Sequence, residues 1–148
     1  MKNLLILVAF ILFSAHSFGA VVETCRNGQF ISGTDDLPHL EPINFSIVVN
    51  RNMNNYSAKI MVDGKQAPTE KQIDVRYTTS KHELERVKSI LKIAKLPTAK
   101  AVAVTTYDFH PFANRDDGAG ITLSVVVDNY GNVLGKVFTL GWGVGICK

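Results

Sequence analysis

Asp108 and His110 stand two residues apart in the stretch Tyr107-Asp108-Phe109-His110. At a strand end that spacing sends both side chains to the same side. A carboxylate beside an imidazole can share a metal ion, or act as a base and the group that orients it. Asp116 and Asp117 follow in the next polar stretch and would add oxygen ligands. Asp108, His110, Asp116 and Asp117 are therefore the candidate metal or catalytic residues. Most metal sites show more histidines or a fixed ligand spacing, and this stretch shows neither. The competing reading is a solvated turn in which Asp108 and His110 bond the loop backbone.

A second candidate is a surface rather than a reactive group. Gly141, Trp142, Gly143 and Gly145 crowd the end of the last apolar run, with Gly135 before them. Glycine weakens a strand and packs against nothing, so it is used where a ring, a backbone or a ligand must come close. Two readings follow. Either the strand coils beneath an aromatic ring or a helix, or these residues floor a groove for a ligand or peptide.

Other chemistries lack their signatures. No serine sits in a Gly-x-Ser-x-Gly elbow, and no glycine-rich phosphate loop occurs. Residues 141–145 have the glycines of a dinucleotide fingerprint, but no helix follows them. No cofactor is expected. His39, in a proline-flanked loop, and His82, in a first helical turn, read as exposed and inert. Asn44 and Asn55 each begin a glycosylation sequon.

The chain opens MKNLLILVAFILFSAHSFGA. A lysine, ten unbroken apolar residues and then small residues form a secretory leader, with cleavage expected between positions 17 and 20. Ten apolar residues fall short of the roughly 20 that span a bilayer. The expectation is a leader over residues 1–20 and one globular domain over residues 21–148, secreted or periplasmic, with no permanent membrane anchor. Two cysteines remain, Cys25 and Cys147, and they allow one intramolecular bond. That bond would staple the two ends of the domain. Without Lys2 the chain carries 15 basic against 13 acidic side chains, too balanced to suit nucleic acid.

The positioning elements follow from periodicity. Apolar and polar residues alternate over residues 43–49, 56–62, 73–77, 101–109 and 121–127, each a strand. Residues 133–147 read as one long strand, paired with 121–127 through the polar turn at 128–132. Residues 21–25 and 29–31 suit short strands, and the rest of 26–42 reads as loop. Ser80 and Glu83 form a capping box ahead of Leu84, Val87 and Leu91, which marks one amphipathic helix over residues 81–95. The layout is α+β: a mainly antiparallel sheet of about six strands with one helix packed on it, open or partly closed as a barrel. Val48, Met61 and Val126 fall on otherwise polar faces and are expected to be core.

No motif specifies an activity. The expectation is an exported, non-enzymatic domain that binds a protein, for example as a hydrolase inhibitor, or a small ligand. The first alternative is a small metal-assisted hydrolase using Asp108, His110, Asp116 and Asp117. The second is a structural or assembly subunit that pairs through an unfilled edge strand at residues 43–49.

Overall fold

The computed structural model describes residues 19–111 and 120–147. Eleven strands and one helix follow in order: β1 (Ala20–Cys25), β2 (Gln29–Thr34), β3 (Leu37–Pro42), β4 (Phe45–Asn52), β5 (Asn55–Val62), β6 (Lys65–Ala67), β7 (Asp74–Thr78), α1 (Lys81–Ile93), β8 (Ala103–Asp108), β9 (Ile121–Val127), β10 (Val133–Leu140) and β11 (Gly143–Cys147). They form two antiparallel sheets, one ordered β1-β4-β5-β6 and the other β3-β2-β11-β10-β9-β8-β7. The α+β character of the sequence reading holds. The single sheet of about six strands does not, and the sheets do not close into a barrel.

The two sheets pack face to face. Cys25, Phe45, Ile47, Val49 and Ile60 come from the smaller sheet and meet Tyr107, Leu123, Val125 and Phe138 of the larger one. The Phe138 ring lies 4.5 Å from Phe45 and 5.6 Å from Phe30, centroid to centroid. Alternation explains this: the same strands that send Leu123 inward send Ser124 and Val126 outward. On that outward face α1 seats Leu84, Val87 and Leu91 against Val104, Val126, Val137 and Ile146. The order of layers is small sheet, large sheet, helix.

Four local differences from the periodicity have physical causes. The run 133–147 is two strands, because Gly141 takes φ +59° and opens a two-residue turn between the paired Leu140 and Gly143. That turn reverses the alternation, so Gly145 and Cys147 face the same side as Phe138. The stretch 26–42 holds the β2–β3 hairpin, in which Pro38 and Pro42 are tolerated because β3 is an edge. Residues 43–49 are no edge, since β4 pairs with β1 on one side and β5 on the other. Ser80 caps α1 without a side-chain bond, and Glu83 instead accepts two bonds from Arg86, at 2.6 and 3.0 Å.

The helix ends in a Schellman arrangement. Leu96 N–H donates to Leu91 O at 3.2 Å and Lys95 N–H to Lys92 O at 2.9 Å, with Lys95 at φ +57° where glycine is usual. Val126 is fully buried under α1 as expected, while Val48 and Met61 are half-buried on the outer face of the small sheet. Cys25 and Cys147 form the expected disulfide, buried between the sheets and joining β1 to β11. Lys136, a charge on the same face of β10 as Phe138, also ties the sheets together. Its Nζ donates to Thr24 O at 2.6 Å and forms an ion pair with Glu23, 2.8 Å from Oε2.

Candidate functional site

The outward face of the large sheet grades from apolar to polar. One row across it runs Thr78, Val104, Val126, Gly135, and α1 rests there. The next runs Arg76, Thr106, Ser124, Val137. The third runs Asp74, Asp108, Thr122, Thr139, Val144. The helix covers the valine end and leaves the hydroxyl end open. The opening is a groove of about 820 Å³. Its size lies within the roughly 300–1,000 Å³ typical of small-molecule sites.

Thr106, Thr122 and Thr139 supply its floor, Glu83 and Arg86 of α1 one wall, Arg76 the β7 edge, and Trp142 the rim beside the β10–β11 turn. The hydroxyls pair across strands, Thr106 with Ser124 at 2.9 Å and Thr122 with Thr139 at 2.8 Å. Arg76 Nε lies 3.2 Å from Asp74 Oδ2, and its Nη2 lies 3.9 Å from Asp108 Oδ2. The Arg86 bonds hold the Glu83 carboxyl below its ordinary value, and Glu83 in turn raises the Arg86 guanidinium. Among the described residues the charged lining is thus two cations and two carboxylates, each within an ion pair.

The sequence candidates fall in and around this groove unequally. Asp108 and His110 both line it. Asp108 is nearly buried, and its Oδ1 accepts the His110 N–H at 3.1 Å. His110 Nε2 lies 2.8 Å from Pro68 O. A carbonyl only accepts, so Nε2 is the donor in this contact, and the other ring nitrogen is Nδ1. That Nδ1 is enclosed and has no hydrogen-bond partner among the described residues. Both side chains are therefore engaged with loop backbone, the arrangement of a braced turn. Asp116 and Asp117 lie outside the described residues. Among the described residues no three His, Cys, Asp or Glu side chains gather as metal ligands.

Gly141, Trp142 and Gly143 line the groove, with Trp142 75% exposed at the turn. Gly143 also lies under Phe30, where an added Cβ would come within 2.6 Å of the ring. Gly145 belongs to the core instead: a Cβ there would collide with the Phe138 ring and with Gln29 O. Gly135 makes room for the helix, since a Cβ would sit 2.7 Å from Leu91 Cδ2. The close approach of a ring or helix thus accounts for Gly135, Gly143 and Gly145, while Gly141 and Gly143 also border the groove.

Sequence reasoning missed Arg76, Glu83, Arg86 and the threonines. The signal was present in parity: Thr106 shares a face with Val104, and Thr122 and Ser124 share one with Val126. A strand face that is valine at one end and hydroxyl at the other is covered at one end only. No family model, characterised protein or solved structure matches this chain.

Proposed function

We propose that this chain is an exported, disulfide-stapled binding module that holds a small polar ligand in the groove on the helix side of its large sheet. The observation that carries this is the groove itself: a concave floor of paired hydroxyls, walled by ion pairs, with a large aromatic side chain left exposed at its rim. Tryptophan is enriched among the residues that carry the energy of recognition surfaces. The leader-like residues 1–20 and the Cys25–Cys147 bond support export to an oxidising compartment. Binding is favoured over catalysis because Asp108 and His110 are committed to the backbone and to Arg76.

The test is a thermal-shift screen of the oxidised protein against polar small molecules grouped by class. The expected result is one class that raises the melting temperature and loses its effect in Thr139→Phe, whose ring fills the groove floor. Hits that survive Thr139→Phe would remove the groove from consideration. A second reading rests on the same exposed Trp142: a protein partner anchored at the turn, as a hydrolase inhibitor would use. It predicts retention of one partner from a secreted extract by the wild type, and none by Trp142→Ala.

A further inference from the structure

We infer that the ligand of this groove is a saccharide, stacked by one ring face on Trp142 and held through its hydroxyls by the polar floor. This rests on the groove being the binding site, and three observations narrow the ligand class.

The first is charge. The lining offers Arg76 and Arg86, but each guanidinium already faces a carboxylate, Arg76 that of Asp74 and Asp108, Arg86 that of Glu83. An anionic ligand would have to displace one of these pairs, and a cationic one would have to face both arginines. A neutral ligand meets neither cost. Paired charges still suit hydroxyls, because carboxylates keep lone pairs to accept O–H donors and guanidinium keeps N–H groups to donate.

The second is the floor. Thr106–Ser124 and Thr122–Thr139 are hydroxyl pairs at 2.9 and 2.8 Å. Each pair holds two O–H protons and spends one between its own oxygens. What remains is one donor and several lone pairs, which is the same mixed donor and acceptor character as a sugar hydroxyl. Thr106, Thr122 and Thr139 line the groove together, so these groups form a row rather than an isolated contact.

The third is the plate. Trp142 is the only tryptophan of the chain, is 75% exposed, and sits on a tight turn that restricts its backbone. An indole face carries negative charge density and attracts the slightly positive C–H groups on the apolar face of a pyranose. A flat aromatic beside a row of hydroxyl and carboxylate groups complements a ring that is apolar on its face and polar on its edge. A peptide would add instead to the β7 edge that borders the groove, rather than use the row of hydroxyls on its floor.

Because Trp142 is the sole tryptophan, its fluorescence reports the groove directly. The oxidised protein is titrated with glucose, galactose, mannose, N-acetylglucosamine and their short α- and β-linked oligomers. The expected result is saturable quenching or a blue shift with one of these series. Calorimetry on that series should show affinity reduced about tenfold or more by Trp142→Ala and largely restored by Trp142→Phe, the scale of one aromatic contact. Asp108→Asn should weaken binding while Glu41→Gln, on β3, leaves it unchanged. No response to any saccharide, with another polar class still binding and still blocked by Thr139→Phe, would overturn the saccharide and keep the groove. Saccharide binding indifferent to both Trp142→Ala and Thr139→Phe would overturn the groove as well.

Discussion

Reducing the Cys25–Cys147 bond tests how the two sheets are held together. The cysteines are 122 positions apart, and the bond joins β1 of the small sheet to β11 of the large one. In the chain-entropy relation a loop of that length removes about 16 cal/mol/K from the unfolded chain, or about 5 kcal/mol at 25 °C. Residual structure in the denatured state lowers the realised value, so the expected loss is about 3–5 kcal/mol. That is a large share of the 5–15 kcal/mol that stabilises an ordinary domain. Reduction is a cleaner perturbation than Cys→Ser, which would also bury hydroxyls at two sites that are 0% and 5% exposed. The assay is urea unfolding with and without a phosphine reductant. Besides the drop in stability, the m-value should rise on reduction, because the released chain exposes more surface when it unfolds. Lys136 still bridges to Thr24 O and Glu23, so the reduced native state should keep its fold below the transition. A loss under about 1 kcal/mol with an unchanged m-value would refute the argument.

Three further outcomes follow from local geometry. Gly145→Ala places a Cβ against Phe138 and the Gln29 carbonyl, neither able to move freely, and should cost about 2–3 kcal/mol by urea unfolding. Lys95→Gly should stabilise by about 0.5–1 kcal/mol, because Lys95 holds φ +57° at the end of α1 and glycine takes that conformation without a side-chain clash. The Glu83 carboxyl is held below its ordinary value of 4.5 chiefly by the hydrogen bonds from Arg86. A depressed carboxylate contributes stability above its unfolded value, and that contribution is lost as pH falls through the lower folded value. Both groups are partly exposed, so the difference between wild type and Arg86→Gln should be only about 0.3–0.5 kcal/mol at pH 7. It should vanish in unfolding experiments well below pH 4.5, whereas a difference constant with pH would mean the pair contributes nothing.

The strands that alternate cleanly were legible because one face of each is buried. Phe45, Ile47 and Val49 read as an inward row, and they form one. The helix was legible from Leu84, Val87 and Leu91 for the same reason. What periodicity does not carry is which strands neighbour one another. The sequence of β4 is the same whether it lies at an edge or in the middle, and only the pairing of β1 with it decides. Strands β3 and β6 escaped, because both lie largely exposed and have no buried row to announce them, and β2 was read only over residues 29–31. The β10–β11 turn was hidden by apolar neighbours, since Leu140 and Val144 flank Gly141 and Trp142 and continue the look of a strand. Asp108, His110 and Trp142 were each singled out from the sequence, but their convergence on one groove depends on β8, β9, β10 and β11 lying side by side.

Why the groove stays open is a matter of lengths. α1 rests on one end of the strands and is about 10–12 Å across, while β9 and β10, of 7 and 8 residues, run roughly 24–27 Å. One such helix cannot cover the sheet, and the uncovered part must be polar or be covered by something else. Thr122 and Thr139 meet that need, and β-branched residues also suit a strand. Their hydroxyls would then be merely tolerated, or required by a ligand, and the Thr122→Val/Thr139→Val pair separates the two. Valine keeps the shape and removes both hydroxyls together, so no partner is left unsatisfied across the pair. If the hydroxyls serve recognition, stability should change by less than about 0.5 kcal/mol while affinity for the groove's ligand falls about tenfold or more. If the pair is instead a structural bond, urea unfolding should show a loss of about 1 kcal/mol or more, with affinity unchanged in the fraction that remains folded. The second pattern would make the hydroxyl floor a feature of the sheet and leave Trp142 without the polar partner that the binding argument assigns to it.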